Sequence, residues 1–125
     1  MTIQKIVEGL LHSENAGEDL STYLNYFVKM HTDGTIMRCG DGEAALGTLV
    51  EGAISGKPVT VQFGGIGKVI CAEAITPGAI LASDANAKAV AAAAGDFVAG
   101  IALNTSASSA GDLVPFAFVS GRRHA

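Results

Sequence analysis

Between residues 23 and 119, short apolar runs are cut by turn residues about every ten positions. This punctuation limits the fold more than any other feature of the chain. Runs so short cannot supply the helices of a bundle, whereas strands separated by Gly, Pro, Asn and Asp are the pattern of a β-sandwich or small barrel. The first run sets the period: Leu24, Tyr26, Val28 and Met30 alternate with Asn25, Phe27, Lys29 and His31, as in a half-buried strand. Asp33-Gly34 then supplies a tight-turn dipeptide, and Thr35 to Cys39 reads as the returning strand of a hairpin.

Further strands are predicted at 46–50, 59–63, 67–71, 79–82, 88–91, 98–103 and 113–119. Thr76-Pro77-Gly78-Ala79 places Pro and Gly at the centre of a type II turn, which should join two strands tightly. Gly64-Gly65-Ile66-Gly67-Lys68 has neither the spacing of a phosphate-binding loop nor a helix after it, and reads as a glycine-rich hairpin turn between two strands. The alanine-rich segment 87–94 favours helix by propensity. It is too short to repay nucleation, and Asp84, Asn86, Gly95 and Asp96 bracket it, so it is read as a strand passing into a loop.

Two stretches share one plan. Gly47-Thr48-Leu49-Val50, a loop, Gly56, then Val59, Val61 and Phe63 overlay on Gly100-Ile101-Ala102-Leu103, a Thr/Ser loop, Gly111, then Val114, Phe116 and Phe118. Each copy is a strand, a wide loop and a strand, and two such units facing each other would bury a common face. Pro115 cannot donate to a ladder, which puts its strand at an edge or leaves its donor side unpaired.

Residues 1–20 differ from the β-domain predicted for 21–125. Ile3, Ile6, Val7, Leu10 and Leu11 recur at helical spacings before the sequence turns polar and acidic at Ser13 to Asp19. The segment reads as an arm, either a short amphipathic helix or an extended strand, whose five apolar residues would dock on a partner.

Charged residues make up 16% of the 125 positions, against about 25% in ordinary soluble domains. With hydrophobic residues at 49% and mean hydropathy at +0.38, part of the surface is expected to be covered by other protein. Aromatics are only 6%, so the core is built of small aliphatic pieces. The net charge of −4 and the scattered Lys and Arg argue against direct nucleic-acid binding. The one basic cluster, Arg122-Arg123-His124, is too short for a nucleic-acid arm. Cys39 and Cys71 share no metal-ligand spacing with His12, His31 or His124 and read as buried thiols; a disulfide between them is the alternative. The start of the chain lacks the pattern of a signal peptide, and no segment is long enough to span a membrane.

Asp33, Asp41, Glu43 and Asp96 lie beside or close to glycines in turns, where short acids serve local hydrogen bonding. His12 and His31 have no Ser, Cys or acid arranged as a triad. No catalytic, cofactor or metal site is therefore predicted, and the chain is read as a non-enzyme.

The turn-and-strand motifs of residues 40–121 resemble the capsid decoration, or cement, proteins of tailed phages. They include Gly40-Asp41-Gly42-Glu43, Gly56-Lys57-Pro58-Val59, Ile75-Thr76-Pro77-Gly78, Ser83-Asp84-Ala85-Asn86 and Ala94-Gly95-Asp96-Phe97. The resemblance implies an all-β fold, a small barrel or tulip-like domain with an N-terminal arm, commonly a homotrimer at threefold and quasi-threefold sites of an icosahedral head. It implies a structural virion protein on the outer capsid surface, made in the bacterial cytoplasm, with the major capsid protein and itself as partners and neither nucleic acid nor membrane. The alternative is a β-barrel module that binds a ligand or carbohydrate. Such modules usually expose Trp or Tyr for stacking, and this chain has only Tyr23 and Tyr26.

Overall fold

A computed structural model describes residues 9–119 and 123–124. Among them there is no helix, and nine strands form one curled antiparallel sheet, a half-barrel, as the turn punctuation predicts. The strands are β1 (Gly9–Asn15), β2 (Phe27–Met30), β3 (Ile36–Arg38), β4 (Gly47–Glu51), β5 (Pro58–Ile70), β6 (Ile80–Ser83), β7 (Ala89–Ala91), β8 (Gly100–Ala102) and β9 (Leu113–Phe118). Their order is β3-β2-β4-β5-β9-β8-β6-β7, with β1 added on β5.

The glycine-rich segment at 64–68 is not a hairpin turn. It lies within β5, which runs unbroken through 13 residues. The first half of β5 pairs with β4 and β1, the second half with β9. Gly65, at φ +77, lies where β5 passes from one set of partners to the other, a backbone conformation that a side chain would strain. One other expectation changes, and that for Pro115 resolves to the second of its two alternatives. The 76–79 turn does close, with the Ala79 N–H donating to Thr76 O at 3.1 Å and Gly78 at φ +79, but it ends a longer connection from β5 to β6. The strand carrying Pro115 is not an edge, since β9 lies between β5 and β8. Its donor side is unpaired: Pro115 O accepts from Leu103 N–H, so its nitrogen faces the same way, beyond the end of β8.

The repeat extends over nearly all the described chain. Residues 9–63 and 64–118 are two copies of one unit, with Gly47 corresponding to Gly100 and Val59 to Val114. The β2–β3 hairpin repeats as β6–β7, the β2–β4 pairing as β6–β8, and the pairing of β1 with β5 repeats as that of the second half of β5 with β9. Irregular hydrogen bonds repeat as well. Ala16 N–H donates to Lys57 O at 2.9 Å and Cys71 N–H to Asp112 O at 3.0 Å; Gly56 N–H donates to Ala16 O and Gly111 N–H to Cys71 O, both at 2.8 Å. The left-handed residues pair off as Asn25 with Gly78, Gly34 with Ala87, Gly42 with Gly95 and Gly56 with Gly111, leaving Gly65 at the join.

Each unit has its own core. The first holds Ala16, Leu20, Val28, Ile36, Leu49, Val59 and Val61. Their counterparts Cys71, Ile75, Leu81, Ala89, Ala102, Val114 and Phe116 all lie in the second. At corresponding points a Cβ on Gly47 would meet Gln62 O, and one on Gly100 would meet Ala117 O, so each glycine admits the backbone of the neighbouring strand. Simple alternation fails in β2, where adjacent Phe27 and Val28 are both fully buried. Val28 faces the first core while Phe27 enters the second and meets Phe116 edge-on at 5.8 Å, so both faces of this strand are covered.

Candidate docking surface

The apolar residues left outside the two cores form the candidate surface. Leu10 and Leu11 lie on β1, which is a strand rather than a helix; Leu11 is 63% exposed. A bulge between them shifts the register, so Leu10 pairs with Gly64 and Leu11 with Gln62. A Cβ on Gly64 would touch Leu10 Cδ1 at 2.9 Å, and the missing side chain lets the leucine lie along β5. Ile3, Ile6 and Val7 lie outside the described residues. The sequence did not single out Met30, Phe63, Ile66 and Ile80, which are also exposed. Met30, Phe63 and Ile80 sit inside strand-forming runs and Ile66 in the segment read as a turn, and only the packing shows which of these side chains faces outward.

Met30, Leu46 and Phe63, with His12, line an open apolar cavity of about 240 Å³ on the first unit. His12 Nε2 lies 3.1 Å from Glu14 Oε2 at its rim. Charged pairs elsewhere tie loops to strand edges. Glu18 grips β3 through Arg38, with Nε and the second guanidinium nitrogen each 3.2 Å from a carboxylate oxygen and the Arg38 N–H at 2.7 Å. Burial pushes the Glu18 carboxyl up, but its bonds to Arg38 outweigh this and hold it below its ordinary value. Lys29 Nζ lies 2.8 Å from Glu43 Oε1 and lowers that carboxyl in turn.

The predicted candidates for chemistry stay dispersed. Asp33 binds its own hairpin through the Thr35 hydroxyl at 2.6 Å and the Thr35 amide at 3.0 Å, which hold its carboxyl at about 2. The Asp96 carboxylate accepts from Ala93 N–H just as that of Glu43 accepts from Gly40 N–H, a local turn bond repeated in both units. Among the described residues no three His, Cys, Asp or Glu gather as metal ligands do. Both cysteines are buried and free; burial raises the Cys39 thiol to about 11. The two tyrosines stack edge-on at 5.0 Å, with the Arg38 guanidinium 4.4 Å above Tyr23 and the Lys88 ammonium 6.0 Å from Tyr26. Their faces are engaged within the chain, which gives the carbohydrate-binding alternative no support.

A curled sheet of two fused β-units that leaves Leu11, Met30, Phe63, Ile66 and Ile80 exposed defines a small all-β module whose apolar surface suits packing against other protein. The family model for phage cement protein matches residues 27–118, and the chain belongs to that family. It is thus a structural protein associated with phage heads. Among solved structures, the N base of the head fiber gp8.5 in bacteriophage phi29 has the same fold. Its TM-score is 0.68 at 18% identity, over 93% of this chain and 99% of that one. The comparison with curated proteins finds no match.

Proposed function

We propose that the protein binds the outer surface of a phage head as a homotrimer, at threefold and quasi-threefold positions, and cements neighbouring copies of the major capsid protein. The family match over residues 27–118 carries this reading. Low charge and exposed apolar residues support it, since both suit a surface that is covered in the assembled particle. Three modest contact patches on one rigid oligomer reinforce one another, because the second and third engage at high effective concentration. Such a clamp opposes expansion of the shell without needing tight binding at any single patch.

The N-terminal arm, residues 1–20, is proposed to make the capsid contact through Ile3, Ile6, Val7, Leu10 and Leu11. The fold dictates how this is tested. Ala16 and Leu20 fill the first core and β1 is paired along β5, so removing all twenty residues would also remove core. Deletion of residues 1–8, and separately Leu11→Asp, keeps those contacts. Co-sedimentation of each variant with purified heads should show attachment reduced about tenfold or more, with the circular dichroism of the β-sheet unchanged. Undiminished attachment of both variants would remove the arm from the reading. An image reconstruction without density for this chain over threefold positions would overturn the placement.

A further inference from the structure

The two units of one chain pack against each other in one direction only. The contact face of the first unit carries Phe27, Cys39 and Ala45, all packed into the second core. It is received by Val69, Ala87, Ala99 and Phe116 of the second unit. Four backbone bonds fix the match: Phe27 N–H to Ala87 O at 2.8 Å, Ile70 N–H to Asn25 O at 2.9 Å, Gly42 N–H to Ser83 O at 2.9 Å and Phe97 N–H to Gly42 O at 3.0 Å. A twofold arrangement would return each contact, so that Ile80, the counterpart of Phe27, would be buried against Gly34, the counterpart of Ala87. Instead Ile80 is 40% exposed, and a Cβ on Gly34 would have nothing within 4 Å. The interface is therefore heterologous, and each chain keeps one unused copy of each half.

The unused receiving half is the cavity already described. Met30, Leu46 and Phe63 stand where the second unit has Ser83, Ala99 and Phe118. In the second unit that region is closed by the first; in the first it is open. The unused contact half is Ile80, Ala92 and Val98 of the second unit, none of them buried.

We propose that copies of this chain associate head to tail by repeating their internal interface, the Ile80 face of one copy seating on the Met30–Leu46–Phe63 cavity of the next. The proposal gives the self-association proposed above a defined surface and rests on that reading. The occupant is a second copy because the chain already carries the matching half. Repetition of a one-way contact yields a closed ring or an open filament; closure as a trimer would make a ring of six units. The end of β9 in one copy then meets the start of β1 in the next, as Phe63 runs into Gly64 within a chain. After Phe118 the chain leaves this line, and Arg123 bridges back to Phe97. Two departures distinguish the open copy: Glu14 stands where the second unit has the buried Val69, and Gly95 N–H is already bonded to His124 O at 2.8 Å.

Disulfide trapping tests the geometry. Within the chain the loop after Cys39 meets Ser83, whose carbonyl accepts from Gly42 N–H at 2.9 Å, and the counterparts of Cys39 and Ser83 across the proposed contact are Ala92 of one copy and Met30 of the next. The double variant Met30→Cys/Ala92→Cys, oxidised in solution and on decorated heads, should give chain-to-chain disulfides on a non-reducing gel, while each single variant gives at most dimers. Ser83→Cys should close a disulfide with Cys39 inside one chain and verifies that the position is oxidisable. Phe63→Asp should weaken self-association about tenfold or more by light scattering, with the sheet signal retained. If the wild type self-associates or binds heads but the double variant does not cross-link, this interface is wrong and the cement reading stands. A wild type that remains monomeric both in solution and on heads overturns the interface and the oligomer together. Cross-linking without head binding upholds the interface and overturns the cement reading.

Discussion

Phe27 and Ile80 occupy the same place in the two units, yet one is fully buried and the other 40% exposed, which makes a sharp comparison available. Truncating Phe27 to Ala empties a position in the second core and removes the edge-on contact with Phe116 at 5.8 Å. Loss of a buried phenylalanine costs about 3–5 kcal/mol, a share of which is the aromatic pair. Ile80→Ala removes a smaller side chain already partly in water, and in the isolated chain should cost about 1 kcal/mol. Urea unfolding at low protein concentration measures both. With a slope of about 1–3 kcal/mol per molar for a chain of this size, Phe27→Ala should move the midpoint down by about 2 M and Ile80→Ala by well under 1 M. Repeating the titration at high concentration should raise the cost of Ile80→Ala, because association couples to stability by mass action. Equal costs for the two variants at low concentration would refute the one-way packing of the units.

Gly47→Ala and Gly100→Ala should each destabilise by about 1–3 kcal/mol in urea titration, because the added Cβ meets a neighbouring strand's carbonyl oxygen that cannot swing aside. Stability should be level from neutral pH to about 5 and then fall as pH drops toward 2, followed by thermal unfolding at each pH. Asp33, Glu18 and Glu43 all titrate below their ordinary values in the folded chain, so they bind protons more readily when unfolded. Asp33→Asn should flatten the part of this slope between about pH 4 and 2, where the Asp33 carboxyl, held at about 2, takes up its proton. Native protein should leave Ellman's reagent unreacted at pH 8, both thiols appearing only with unfolding, because Cys39 and Cys71 are buried.

Much of the local structure was legible in the sequence. The turns at Gly34 and Gly78 were readable because a positive φ favours glycine, and both adopt it. The alanine-rich segment became β7 followed by loop because its brackets outweighed propensity. The repeat was visible only where both copies kept bulky apolar residues, at 47–63 and 100–118. Over the remainder the counterparts differ in chemistry, as Ile36 and Ala89 or Leu20 and Ile75 show, and only the hydrogen bonds reveal their equivalence.

The chain alone determined that it would fold as strands, where most of them lie, that its thiols would be buried and which family it joins. The strands follow from turn chemistry and side-chain period, which act between near neighbours, whereas the family was marked by the resemblance of residues 40–121. Only the tertiary structure decided that β1 joins β5, that β5 passes through its glycines as one strand, and that β9 lies inside the sheet. Strand pairing links residues far apart in sequence, and local pattern does not encode it. The same holds for the docking surface. Phe27 and Ile80 are both apolar residues in short strands, and what distinguishes them is that a second unit has packed over one and left the other open.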